Sequence, residues 1–405
     1  MDHTHVHPAA GARDRSSLQV ADIVRAHAEG FLSAHPAVSD HQRRVLRAIA
    51  RCRTSALGGH LDECPDCGWS RPSYNSCRDR HCPSCQSLDQ ARWIAARMER
   101  VLPTHCFHVV FTLPKGLRAL AQANQELVYD LLFEAASASL LELGHDPRFI
   151  GGLIGVTAVL HTWTREQLYH PHLHCVVTGG ALSADPWRWI DAPKNFLFPV
   201  RVLGQIFRGK FMDALVRAHA AGKLDLTGSA AALADAARFA RLRRKLYTTR
   251  WVVYCKRPFG GPEHVFKYLG RYTHRVGISN QRLVSHDDHG VTFRTRGSDI
   301  VTLHPHEFLR RFLLHVLPPH FVKKRHYGLF APSNIARAWV IASLLVEQRR
   351  LPPDRPLAPE RVADDFQALF LAFTGIDLGR CPRCGGPVTR RPLTAHARPT
   401  AHDTS

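Results

Sequence analysis

Two C-x2-C pairs, Cys64/Cys67 and Cys82/Cys85, constrain the folding of this chain more than any other feature. A two-residue turn holds a pair of sulfurs at a fixed bite, and tetrahedral zinc takes four thiolate or imidazole ligands. The two turns lie in one segment, residues 60–86, which is rich in turn residues and almost without apolar periodicity. The simplest expectation is one closed structural zinc site built from Cys64, Cys67, Cys82 and Cys85, with Pro65, Trp69 and Tyr74 packed around it. Cys77 and His81 are further ligand candidates, by exchange with one of the four or in a second partial site. Arg71, Arg78 and Arg80 lie between the pairs and suggest phosphate contact, although a solvated basic loop reads the same way. A third pair, Cys381/Cys384 in RCPRCGGP, is half of such a site. His396 and His402 are its only downstream partners at finger-like distance, and without them it is an incomplete knuckle.

The chain has 405 residues, enough for two or three domains and a sizeable core, and 45% of them are hydrophobic. Lys and Arg number 54 against 34 Asp and Glu, a formal net charge of +20. Such a charge favours a polyanionic partner through counterion release from phosphates. No apolar run approaches the ~18 residues of a membrane span. The N-terminus, MDHTHVHPAAGARDRSS, has no apolar core of a signal peptide. The expected location is cytoplasmic, where cysteines serve as metal ligands rather than disulfides. Cys106, Cys175 and Cys255 stand alone on expected strands, and Cys52 inside a helix; all four read as core.

The pattern along the chain is α+β. Residues 1–17, rich in His, Ala and Arg with little to bury, are expected to form a disordered tail. An N-terminal zinc-binding, DNA-recognition module covers 18–102, with helical spacing from Leu18 to Arg53 broken near His35–Pro36 and a further helix at Ser87–Leu102. A second domain covers 103–330. Its expected strands are Phe107–Pro114, 153–162, 172–178 (closed by Gly179–Gly180) and Trp251–Lys256. Its expected helices are 116–143, 203–222, 229–246 and 262–274, the last with proline at its first position. Residues 282–304 alternate as a β-hairpin with a third strand. Helices follow at 306–317, 333–350 and 359–373, so that 331–380 is helical and 381–405 is the cysteine knuckle with a mobile tail.

Two motifs in the middle of the chain carry chemistry. In YHPHLHCVVTGG (169–180), alternate residues of a strand share a face, so His170, His172 and His174 project together while Leu173 and Cys175 face the core. Two imidazoles at i and i+2 can hold one divalent ion, with His170 or Glu166 as third ligand and open positions for water and a phosphate oxygen. A hydrogen-bonded pair of strand histidines has the same pattern. In FKYLGRYTHR, Tyr268 and Tyr272 are four apart and share a helical face. Aromatic pairs at that spacing are ordinarily core. Here Lys267, Arg271, His274 and Arg275 beside them would hold a DNA strand and offset phosphorane charge. A tyrosinate can attack a phosphodiester, leaving a phosphotyrosine and a free 3′-hydroxyl.

The ordered motifs SCRDRHCPSCQ, FHVVFTLP, HPHLHCVVTGG and YLGRYTHRVGISN, followed by CPRCGG, resemble the two-tyrosine rolling-circle transposases of insertion-sequence family ninety-one, within the HUH endonucleases. The resemblance spans roughly residues 20–330. It implies a palm-like antiparallel sheet carrying the histidines with the tyrosine helix beside it, and Mg2+ or Mn2+ at the site. It puts His172 and His174 at the metal-ligand positions and Tyr268 and Tyr272 at the nucleophile positions. Val177 stands where some replication initiators carry a polar residue, which leaves the third ligand open. The implied activity is cleavage and rejoining of single-stranded DNA through 5′-phosphotyrosine, with element ends as hairpin or duplex DNA bound by the zinc module. A plasmid rolling-circle initiator or relaxase would share the apparatus, and a zinc-finger regulator would need only the cysteines and the charge.

Overall fold

The computed structural model describes residues 18–85, 93, 96, 100–256, 277–348, 371 and 376–395. Helices α1 (Val20–Ala34) and α2 (Asp40–Ala50) lead the chain. Ser39 and Gln42 exchange hydrogen bonds in a capping box that starts α2 just past the His35–Pro36 break. Next come β1 (Gly59–Glu63), β2 (Ser70–Tyr74), β3 (Cys106–Thr112), α3 (Gln125–His145), β4 (Gly152–Trp163), β5 (Tyr169–Ser183) and β6 (Trp189–Asp191). Then follow α4 (Val200–Ala220), α5 (Ala236–Thr248), β7 (Val252–Lys256), β8 (Leu283–His286), β9 (Val291–Arg294) and β10 (Ile300–Leu303). Last are α6 (Pro305–Leu313), β11 (Lys324–Gly328), α7 (Val340–Gln348) and β12 (Thr389–Leu393).

The central sheet has the order β11-β4-β5-β3-β7, antiparallel throughout, with β6 on the far half of β5. Alternation gives it two unlike faces. Phe107, Val109 and Phe111 of β3, Leu173, Cys175 and Val177 of β5, and Val156, Ala158 and Leu160 of β4 are buried against α3 and α4 in the main core. Phe111 meets Phe207 of α4 edge-on, with ring centroids 4.9 Å apart. The Tyr129 hydroxyl of α3 hydrogen-bonds that of Tyr169 at 2.7 Å, so both buried phenols are satisfied. The other face carries His108, Val110 and Thr112, then His172 and His174, then Val159 and His161.

A second core joins parts of the chain far apart in sequence. Val20, Ile23, Phe31, Leu46 and Ile49 of α1 and α2 pack with Leu283, Val291, Phe293, Phe308 and Phe312 from the β8–β10 sheet and α6. A third, smaller core seats α7 against Leu182, Trp189, Leu329 and Phe330. Among the described residues no helix is long and apolar enough to cross a membrane.

Several elements depart from the sequence expectation for local reasons. The helix expected over 116–143 breaks at Asn124, whose side-chain amide bonds Leu120 O and Asp225 O and accepts from Asp225 N. The helix expected at 229–246 starts only at Ala236, where the Asp235 carboxylate caps the Arg238 N–H; a 3-10 segment, Gly228–Ala234, precedes it. Gly179 and Gly180 do not close β5. The strand runs on through them because Gly179 lies against His105, and Gly180 against Trp189 and Ile190, leaving no room for a Cβ. Segment 60–86 contains the β1–β2 hairpin rather than turns alone, and β11 and β12 were not expected. The helix expected at 262–274, most of that at Ser87–Leu102 and almost all of that at 359–373 lie outside the described residues.

Candidate metal centres and nucleic-acid site

The histidine face is set by strand register. His161 of β4 stands directly opposite His172 of β5, and His174 lies two residues further along the same face. One ligand atom from each of His161, His172 and His174 lies within 4.8 Å of the others. The ring of His161 sits 4.3 Å from that of His174 and 5.5 Å from that of His172, centroid to centroid. The His172 Nδ1–H donates to the His170 carbonyl at 2.6 Å, which leaves Nε2 with the lone pair a metal needs. Nδ1 of His174 is 2.7 Å from Nε2 of His108, and the two rings stack 5.0 Å apart. With the proton on His174 Nδ1, its Nε2 is free to ligate as well.

Burial lowers the pKa of His172 and His108 to about 4 each. Burial, then the neighbouring His161 and His172, holds His174 well below the usual histidine range. All three are neutral at pH 7, the form that binds a cation. Lys256 lowers His108 and His174 further, and Arg118 and Lys115 do the same to His170. Cations therefore rim a cluster of neutral imidazoles, a combination suited to one divalent ion and the phosphate that would share it.

The third imidazole is not one of the two residues expected. His170 Nδ1 faces the Arg118 guanidinium at 3.1 Å, and Glu166 is exposed in the turn between β4 and β5. The sequence reading missed both His161 and His108, each hidden in an apolar strand pattern. Leu173 and Cys175 do face the core, as expected. Tyr268, Tyr272, Lys267, Arg271, His274 and Arg275 lie outside the described residues.

The cysteines regroup. Cys64, Cys67, Cys82 and Cys85 do not meet in one site. Cys82 and Cys85 join Cys52 and Cys77, with Cys52 Sγ 3.4 Å from Cys85 Sγ and 3.6 Å from Cys82 Sγ, and Cys77 Sγ 3.6 Å from Cys85 Sγ. Cys64 and Cys67 instead face Cys381 and Cys384. Cys52 follows α2 and is a member of the first cluster rather than simple packing. In that cluster hydrogen bonds with Cys52, Cys77 and Cys82 hold the Cys85 thiol strongly down, while those with Cys52, Cys77 and Cys85 push Cys82 up. Cys106 and Cys175 are buried core residues, and Cys255 is half-buried.

Two expected DNA contacts part company. Arg78 is exposed, with its backbone in the left-handed region at φ 55°. Arg80 donates to the Phe321 carbonyl at 2.7 Å and is half-buried. Beside it His81 links the Asp79 carboxylate to the Leu317 N–H and is itself buried, so it braces the module rather than ligating.

Known proteins agree with this layout. Residues 155–337 match the family model described as "Putative transposase", and residues 23–113 match that described as "Transposase zinc-binding domain". "Putative transposase y4qJ" of Sinorhizobium fredii is 44% identical over 380 residues, covering 91% of this chain and 94% of the relative. "Transposase for insertion sequence element IS801" of Pseudomonas savastanoi pv. phaseolicola is 26% identical over 387 residues, covering 93% of this chain and 89% of the relative. No solved structure matches. The zinc-binding match contains the six cysteines from Cys52 to Cys85, and four-thiolate clusters are the donor set that zinc takes. The chain belongs to the two-tyrosine transposases of insertion-sequence family ninety-one, DNA-cleaving enzymes with an N-terminal zinc-binding domain.

Proposed function

We propose that this transposase cuts and rejoins single-stranded DNA in rolling-circle transposition, with Tyr268 and Tyr272 as nucleophiles and His161, His172 and His174 as ligands of a catalytic Mg2+ or Mn2+. The convergence of the His161, His172 and His174 imidazoles on one sheet face carries the reading. The donor set fits: each Nδ1 of the β5 pair is engaged by a second group, which orients the ring and presents Nε2. A divalent ion held there would polarise a phosphate oxygen and orient the scissile group.

The remaining chemistry belongs to the chain. A tyrosine phenol loses its proton and its oxygen forms a bond to phosphorus as the bond to O3′ breaks. O3′ leaves as a protonated hydroxyl, and the DNA 5′-phosphate stays on the tyrosine. The phosphotyrosine conserves the bond energy, so a second strand can displace it without ATP. The second tyrosine lets one active site hold a second DNA end. Lys256, Arg118 and Lys115 at the face, with Lys267, Arg271, His274 and Arg275 flanking the tyrosines, hold the strand. The zinc module, Arg78 included, recognises element ends as hairpin or duplex, and a bacterial nucleoid in the cytoplasm is where such a substrate lies.

Oligonucleotides carrying the element's own ends, incubated with Mg2+, test this directly. Cleavage and a covalent protein–DNA adduct are expected from the native chain. Tyr268→Phe plus Tyr272→Phe should abolish the adduct, and His161→Ala and His172→Ala should each reduce cleavage by about 100-fold or more. His170→Ala should retain cleavage within about tenfold. An adduct surviving the double tyrosine change, or His161→Ala cleaving like the native chain, would sink the corresponding assignment.

A further inference from the structure

We propose that the protein holds a second structural zinc ion between its two ends, ligated by Cys64 and Cys67 of the N-terminal module and by Cys381 and Cys384 of the C-terminal knuckle. The inference does not depend on the catalytic reading above.

The sulfur geometry is the first support. Cys64 Sγ lies 3.5 Å from Cys384 Sγ and Cys67 Sγ lies 3.7 Å from Cys381 Sγ, with all four atoms within 4.8 Å of one another. Sulfurs arranged tetrahedrally at a Zn–S distance of about 2.3 Å are about 3.8 Å apart, whereas a disulfide would need about 2.05 Å. The four thiolates fill the tetrahedron, so His396 and His402, which lie outside the described residues, are not required.

The two knuckles are also built alike. Each reads Cys-Pro-x-Cys-Gly: Cys64-Pro65-Asp66-Cys67-Gly68 and Cys381-Pro382-Arg383-Cys384-Gly385. Each ends on a glycine in the left-handed region, φ 66° at Gly68 and 76° at Gly385. The same backbone bond closes both turns, Gly68 N to Cys64 O at 3.1 Å and Gly385 N to Cys381 O at 2.9 Å. The Arg383 N–H donates to Cys381 Sγ at 3.4 Å, a contact that a thiolate strengthens. Cys82-Pro83-Ser84-Cys85 is followed by glutamine, and its cluster is completed by two single cysteines instead.

The backbone around the site joins the ends as well. β12 pairs antiparallel with β1 in a five-residue register, Gly59 to Leu393 through Glu63 to Thr389, making the three-stranded sheet β12-β1-β2. Arg390 Nε reaches the Asp62 carboxylate at 2.8 Å, and Thr389 Oγ1 donates to the Glu63 carbonyl at 3.1 Å. Gly58, at φ 63°, lies so close to this strand that a Cβ there would come within 2.9 Å of the Leu393 carbonyl oxygen. The result is a zinc ribbon whose halves come from opposite ends of the chain.

Zinc counting on the full-length protein, purified under reducing conditions, tests this. The native chain should carry two zinc ions. Cys64→Ser/Cys67→Ser, Cys381→Ser/Cys384→Ser and the combined quadruple variant should each carry one, because both pairs serve the same ion. The Cys52 cluster retains its ion as an internal control of folding. Should a variant not fold, the native chain still decides: Cys381 and Cys384, together with Cys64 and Cys67, should be protected from alkylation until zinc is chelated. One zinc in the native chain, two in Cys381→Ser/Cys384→Ser, a quadruple variant below either double, or a disulfide between the pairs overturns the proposal.

Discussion

His315 shows how far a single side chain depends on its surroundings. Fully buried, it donates from Nε2 to the Gln167 carbonyl and accepts at Nδ1 from the Thr162 hydroxyl, an arrangement that satisfies the neutral ring. Burial lowers its pKa from 6.5 to about 4. Because the folded pKa lies below the unfolded one, the unfolded state takes up the proton first. The stability tied to the neutral ring is therefore complete above pH 6.5 and is lost as pH falls to about 4. The shift corresponds to about 3 kcal/mol. Comparing the unfolding free energies of the native chain and His315→Asn at pH 7 and pH 4 should show the native loss exceeding the variant's by about that amount. Equal losses would rule the histidine out. Among the clustered histidines, His172 and His174 were legible because the H-x-H spacing places both on one face. His161 and His108 were not, since an isolated histidine in a strand carries no spacing signal.

At the scale of elements, alternation made the central strands readable and register made the site. Continuing the Trp163–Tyr169 pairing of β4 with β5 without a break would put His161 opposite Pro171, and so on the core face. A register shift between Trp163 and His161 brings it opposite His172 instead. No propensity in the sequence announces that shift. The apolar face beneath has a separable role. Phe111 is fully buried against Phe207, and Phe111→Ala should cost about 3–5 kcal/mol of stability through lost burial and a cavity. Its backbone lies beside β5, yet its side chain faces away from the histidines, so Mn2+ affinity at temperatures where the variant is folded should stay within about tenfold of native. A loss of metal binding without a loss of stability would contradict this division between the faces.

At the scale of the molecule, the zinc module is bound into the rest by buried polar contacts as well as by the shared core of α1, α2 and α6. Arg80 and His81 bond the 317–321 backbone, and His41 reaches the Leu317 carbonyl. Arg80→Ala should therefore lower stability by about 1–3 kcal/mol, the cost of leaving a half-buried carbonyl without its donor. The salt dependence of DNA binding should stay unchanged, whereas losing a phosphate contact reduces its slope by about one. A shallower salt slope with native stability would return Arg80 to the DNA. The chain's charge, its C-x2-C pairs, its histidine and tyrosine spacings and its α+β alternation were set by the sequence alone, because each is a local pattern that chemistry reads over a few residues. The partners of those patterns were decided only by the tertiary structure. Which cysteines cluster, which histidine joins the H-x-H pair and which arginine turns inward depend on strand register and on contacts between segments hundreds of residues apart, and no short-range signal encodes either.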